Sequence, residues 1–329
     1  MAERDNSSTP PDGAPGSEPA NSQKSPPPGL LRAIEAFQKG AEANNNEQME
    51  AAALNALAIA TSEAEKNPSP ELILLQQAAD CEARGEWSAA EAKHREVLKL
   101  AEDAGQPAST ASAYYHLSKL FLLIGDVGRA EECVERGLIS ARQAEAFPLQ
   151  FMALSQKAAS ALSRADYVTA LDAANASVAV IDPGRMHDGM RAGALVLRAR
   201  CRLGCGDLAG CQSDLRAAKP VLVDADTSLL FAGSQSRIAG WWEVTARARA
   251  QEGDLEGACD AWLEAVQKRR HVHSLSHVTG PHTLAALARA LGKLAEALEA
   301  AGRIDSAKNS QAEAQRIWRE LGLSAQTTF

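Results

Sequence analysis

A short turn recurs seven times along this 329-residue chain, and its spacing constrains the fold more than any other feature. The turns are Asn46-Glu47-Gln48, Gly85-Glu86-Trp87, Gly125-Asp126-Val127, Ala165-Asp166-Tyr167, Gly206-Asp207-Leu208, Gly253-Asp254-Leu255 and Gly302-Arg303-Ile304. Their first residues are 39, 40, 40, 41, 47 and 49 positions apart. A period of this size means stacked copies of one supersecondary unit. Glycine lets the chain leave a helix through a conformation that is costly for other residues, and the acidic residue after it suits the positive N-terminal end of the next helix. Each turn therefore ends one helix and starts another, and one period is one antiparallel helical hairpin.

Small residues stand at fixed offsets from these turns. Five positions after each first residue come Ala51, Ala90, Ala130, Ala170, Cys211, Ala258 and Ala307. Seven positions before it come Ala78, Ser118, Ala158, Ala199, Ala246 and Ala295, with Lys39 as the exception, and twelve after it come Ala58, Val97, Gly137, Ser177, Ala218, Ala265 and Ala314. Slim side chains in such columns let the helices of a hairpin, and the next hairpin, approach closely without overpacking. The sequence thus predicts an all-α solenoid of about seven helix-turn-helix repeats, an open spiral with a concave face rather than a ball.

Composition agrees. Aromatic residues are only 4% of the chain, alanine is abundant and runs of β-branched residues are scarce, as in close-packed helices. At 329 residues a single compact core is disfavoured and an elongated array is favoured. A formal net charge of -8 argues against nucleic acid or an anionic membrane as the main partner. The chain shows neither a secretory leader pattern nor an apolar run of spanning length, so a cytoplasmic protein is expected. The six cysteines sit in helix-periodic segments, which disfavours a disulfide framework.

Residues 1–29 hold seven of the fourteen prolines among Ser, Asn, Asp and Gly, and are expected to be a disordered tail. The solenoid is expected over 30–322, with a flexible C-terminus over 323–329.

The small residues around the Gly-Asp turns resemble the tetratricopeptide repeat. Trp242 matches the family's early aromatic position in the first helix of a repeat, and Trp87 and Tyr167 match the aromatic after the turn. Trp262 matches the large position of the second helix, and Leu117 and Leu294 match the first helix's leucine. Gly85, Gly125, Gly206, Gly253 and Gly302, with Ala90, Ala130, Ala170, Ala258 and Ala307, are the repeat-defining positions. Spacings of 40 or more exceed the family's usual period of about 34, which resembles the kinesin-light-chain-type branch with its longer helices. Gly280-Pro281-His282-Thr283-Leu284 resembles that branch's inter-repeat linker. Gln77, Lys157, Arg198 and Thr245 stand where the pattern has leucine.

The resemblance implies a right-handed superhelical solenoid and a protein–protein interaction scaffold that holds a peptide or protein along its concave face. Carried over position by position, the groove would be lined by Ser112, Tyr115, Lys119 and Leu122, by Val196, Arg200 and Leu203, and by Glu243 and Arg247. Lys119, Arg200 and Arg247 share one column, which would suit a partner that is acidic or bears a free C-terminal carboxylate. The family's asparagine-and-lysine clamp for chaperone tails is not matched. Alternatives from other classes are a regulatory sensor whose solenoid changes pitch on binding a peptide or small molecule, and a self-assembling structural protein that forms a homo-oligomer.

Chemistry-bearing clusters are few. His273 and His277 have the i, i+4 spacing of a metal pair, with His271 and His282 nearby, but no carboxylate or thiol stands at motif spacing. Cys201, Cys205 and Cys211 bracket one turn, and Cys211 takes the slot of a small buried filler. Phosphate-cradling, nucleophile-elbow and zinc-protease motifs are absent. No enzyme activity, metal or other cofactor is expected.

Overall fold

The structure is a computed structural model that describes residues 68–181, 188–223, 232–275 and 280–323. The predicted tail, the first repeat with its turn at Asn46, and nearly all of the predicted C-terminal segment lie outside these residues. All regular structure among the described residues is α-helical and falls into six hairpins. They are α1 (Pro70–Ala83) with α2 (Trp87–Asp103), α3 (Pro107–Ile124) with α4 (Val127–Gln143), and α5 (Phe147–Ser163) with α6 (Tyr167–Val180). There follow α7 (Asp188–Gly204) with α8 (Leu208–Leu222), α9 (Ala232–Gln251) with α10 (Leu255–Ser274), and α11 (Pro281–Ala300) with α12 (Ile304–Glu320).

The turns do what their residues dictate. At the α3–α4 turn Gly125 adopts φ 82°, the Asp126 amide bonds back to Phe121 O at 2.8 Å, and the Gly125 amide bonds to Leu122 O at 3.3 Å. These two bonds satisfy carbonyls that the helix end would otherwise orphan. The aspartate does more than oppose the helix dipole. Its carboxylate caps the next helix by accepting the Arg129 amide at 3.1 Å, and Asp166, Asp207 and Asp254 repeat the bond on Thr169, Gly210 and Gly257. Ala165 holds the same left-handed conformation at φ 56° without glycine's freedom.

The small-residue columns form the seams. Ala90, Ala130, Ala170 and Cys211 are all 0% exposed, as are Ala78, Ser118, Ala158, Ala199 and Ala246. At Gly137 a Cβ would lie 3.1 Å from the Cβ of Tyr114, so α4 approaches α3 more closely there than an alanine would comfortably allow. Trp242 packs between two apolar clusters, and Trp87 packs beside Cys81 and Ala90. Three of the four slots that lack leucine hold polar side chains bonded to nearby groups. Arg198 holds Asp214, which is 3% exposed, through bonds of 2.9 and 2.6 Å, Lys157 pairs with Glu135, and Thr245 donates to Trp241 O.

Each helix packs on its sequence neighbours, and the first helices of successive hairpins also touch, α3 with α5, α5 with α7 and α7 with α9. These odd-numbered helices make the inner wall. The long spacings of the sequence appear as length: α9, α10 and α11 have 20 residues each, against 14 to 18 in the others. α9 and α11 do not repeat the close contact of the earlier odd pairs.

One contact was not foreseen from the sequence. The α1–α2 hairpin and the end of α3 meet the α11–α12 hairpin: Glu82 pairs with His282 at 3.2 Å, and Trp87 of α2 and Leu123 of α3 join the apolar cluster of Leu284, Leu291 and Leu298. The expected open spiral therefore comes round on itself within this unit.

Candidate binding site on the inner face

Two groups of ionisable side chains occupy the inner face. The first surrounds Glu82 of α1. His94 Nε2 donates to its Oε1 at 2.9 Å and His282 Nε2 approaches its Oε2 at 3.2 Å. Burial pushes the Glu82 carboxyl up, but the bonds from His282 and His94 outweigh this and bring its pKa down to about 2. The His94 ring stacks on His116 at 5.7 Å between centroids. Burial, then the charges of Lys119 and His94, depresses His116 to about 4. Lys119 belongs to this group: its Nζ lies 6.0 Å from the Tyr115 ring centroid, and burial lowers its pKa against the opposing pull of Glu82.

The second group lies between α9 and α11. A cavity of about 380 Å³ is lined by Arg200 of α7, Glu243 and Arg247 of α9, Arg269 of α10 and Arg289 and Lys293 of α11. Arg200 and Arg247 also line both smaller cavities beside it, of about 160 and 240 Å³. Val196 and Leu203, placed on the groove by register, are 7% and 4% exposed and supply apolar wall.

The charges in this cavity do not cancel. Arg269 is engaged by Glu243 at 2.8 Å and Ser236 at 2.8 Å, and Lys293 by Glu296 at 2.8 Å. Arg200, Arg247 and Arg289 have no carboxylate partner among the described residues. The Arg247 guanidinium sits 5.8 Å from the Trp262 ring centroid, and Arg200 Nε is fully enclosed without a hydrogen-bond partner. Arg200 as a whole is half-buried and lines the cavity. Desolvation, reinforced by Arg247, lowers its pKa to about 10 against the pull of Glu243; desolvation and Arg269 do the same to Arg289, again to about 10. Burial tends to raise Glu243, yet the surrounding arginines hold it below its ordinary value. The arrangement is a half-enclosed cationic recess with apolar and aromatic walls, capable of taking an anion.

Of the residues expected to line one groove, Arg200, Glu243 and Arg247 share this recess, whereas Tyr115 and Lys119 stand with the Glu82 group. Arg269 and Arg289 were missed. Arg269 lies inside the charged run Lys268-Arg269-Arg270, of which Arg270 turns outward to Glu313, so its signal was weak. Arg289 stands as far before Gly302 as Ser112 stands before Gly125, and extending that column to the last repeat would have found it. The histidine cluster separates: His273 bonds Thr283 at 3.1 Å, His282 pairs with Glu82, and His277 lies outside the described residues. Among the described residues no His, Cys, Asp and Glu group is arranged to hold a metal. Burial raises Cys201 to about 12 and Cys211 to about 11, so neither thiol is activated.

No family model matches the sequence, and no curated protein matches it. Solved structures do resemble it. A Rap protein complexed with competence and sporulation factor superposes with a TM-score of 0.54 at 12% identity, covering 89% of this chain and 96% of that one. BtubC (BKLC) from P. vanneervenii gives 0.47 at 16% identity, covering 76% and 92%. A putative kinesin light chain with nearly identical TPR-like repeats from Podosopora anserina gives 0.39 at 16%, covering 66% and 99%. The hairpin geometry, the buried small-residue columns and the likeness to the Rap protein define the fold as a tetratricopeptide-like helical-repeat solenoid. No described helix is long and apolar enough to cross a membrane.

Proposed function

We propose that this protein is an interaction scaffold that holds a peptide or protein partner against the inner face of its solenoid, and that an anionic group of the partner, a side-chain carboxylate or a free C-terminal carboxylate, enters the recess of Arg200, Arg247 and Arg289. The observation that carries this reading is the set of three arginines, without carboxylate partners among the described residues, converging in one recess of a chain whose formal net charge is -8. Keeping desolvated cations unpaired costs folding energy, and a ligand that pairs with them repays it. The Rap neighbour, itself a complex with a factor, is consistent with a ligand-holding role for this fold. The protein works where such partners are met, which for this reading is the cytoplasm.

The test is affinity capture followed by cross-linking, comparing the parent chain with Arg200→Gln/Arg247→Gln. The variant is expected to lose the partner that cross-links to α7 and α9. Unchanged capture by the variant overturns the assignment of the recess, and adding Lys119→Gln shows whether the Glu82 group contributes.

The contact between the first and last described hairpins favours a second reading, a sensor. A ligand that alters the pitch of the solenoid would break the Glu82–His282 pair, and small-angle scattering would show a larger radius on binding. An unchanged profile removes this reading.

A further inference from the structure

We infer that the recess is built for a doubly charged phosphoryl group rather than a single carboxylate. This rests on the proposed anion-binding role and specifies its ligand. The argument is one of charge and geometry. Glu243 is committed to Arg269 and Glu296 to Lys293, so both carboxylates on the cavity wall are spent on other cations. Arg200, Arg247 and Arg289 remain, and Arg237 borders the adjoining cavity that shares Arg200 and Arg247. One carboxylate would leave two of the three central charges uncompensated, whereas a phosphoryl group brings a charge of about −1.5 to −2 and three acceptor oxygens. Those oxygens match donors arriving from three helices, α7, α9 and α11. A planar carboxylate offers two oxygens and is satisfied by one guanidinium fork. Arg200 lines the recess, and its Nε is a buried donor with no hydrogen-bond partner among the described residues. Arg200 and Arg289 stay protonated at physiological pH even after desolvation, so the recess keeps its charge while empty.

The phosphoryl group can belong to a phosphorylated side chain of a peptide or to a free phosphate ester, and the two sources are separable. Isothermal titration of the full chain, at constant ionic strength set by chloride, compares inorganic phosphate, acetate and a short alanine peptide carrying one phosphoserine. Phosphate is expected to bind at least about tenfold more tightly than acetate at neutral pH, a difference of about 1.4 kcal/mol. It is expected to lose most of that advantage about two pH units lower, where its second proton returns. Glu243 remains ionised there, because the arginines around it hold its pKa down. Tighter binding of the phosphopeptide than of phosphate assigns the group to a peptide partner, and equal binding assigns it to a free phosphate ester.

Arg200→Gln/Arg289→Gln is expected to lower phosphate affinity at least about tenfold while keeping the helical circular dichroism. Arg136→Gln, on an exposed outer position, is expected to change neither. Equal affinity for acetate and phosphate overturns the phosphoryl assignment and leaves the carboxylate reading standing. Binding of none of the three probes overturns both, and binding that survives the double substitution places the anion elsewhere.

Discussion

Replacing Arg289 with methionine is expected to stabilise the folded chain. Desolvation and the charge of Arg269 lower the Arg289 pKa from 12.5 to about 10. For a base, a depressed folded-state value means that the unfolded chain holds the proton more tightly. The penalty is therefore fully present below pH 10 and fades as pH rises toward 12.5. At about 1.4 kcal/mol per unit, keeping the charge in place costs about 3 kcal/mol. Methionine retains much of the aliphatic length and removes the charge, but it gives up the guanidinium's hydration in the cavity. The net gain expected is about 1–2 kcal/mol. Urea unfolding followed by circular dichroism, at neutral pH and without phosphate, measures it as a higher midpoint with an unchanged slope. Arg136→Met on the outer surface serves as the control and stays within about 0.5 kcal/mol of the parent. A lower midpoint for Arg289→Met would show that the recess is a stabilising network and refute the reasoning that its charges await a ligand.

Three further outcomes follow from the scaffold. Ala170→Leu places a large side chain in a seam that is 0% exposed and is expected to cost about 1–3 kcal/mol, while Val168→Ala, 71% exposed and two residues away, changes the urea midpoint little. Ala165→Gly relieves a left-handed alanine at φ 56° and is expected to raise the thermal midpoint, with a gain of about 0.5–1 kcal/mol. Glu82→Gln removes the carboxylate shared by His94 and His282. The folded pKa of Glu82 is depressed from 4.5 to about 2, so the parent gains stability above pH 4.5 and loses it as pH falls toward 2. The variant's stability, followed by urea midpoints across that range, is expected to lack this acid-dependent component.

The sequence made the scaffold legible and the site only partly so, and the difference has a physical origin. Each hairpin reuses one local solution, a left-handed residue followed by a capping aspartate and small residues at the seams, so the same offsets that predicted Ala90, Ala130 and Ala170 as contact points recur in the structure as buried side chains. Even the departures were local: Arg198 occupies a leucine slot because Asp214, 16 residues on, supplies its partner. The recess depends instead on how far successive hairpins rotate. The register places Arg200, Glu243 and Arg247 on one face, and its column through Ser112 runs on to Arg289, but it could not show that Arg269 of the second helix α10 reaches the same cavity, nor that Lys119 stands with Glu82. The Glu82–His282 pair joins residues about five repeats apart, a separation that no repeat pattern encodes.

The central claim, that a partner's anionic group sits among the inner-face arginines, is tested most directly by arginine-selective modification with phenylglyoxal, read out by mass spectrometry on the chain alone and with its captured partner. The account predicts that the partner protects Arg200, Arg247 and Arg289 while Arg95 and Arg136, each more than half exposed on their helices, react as before. Protection that falls on those outer arginines, with the three inner ones reacting unchanged, would contradict it.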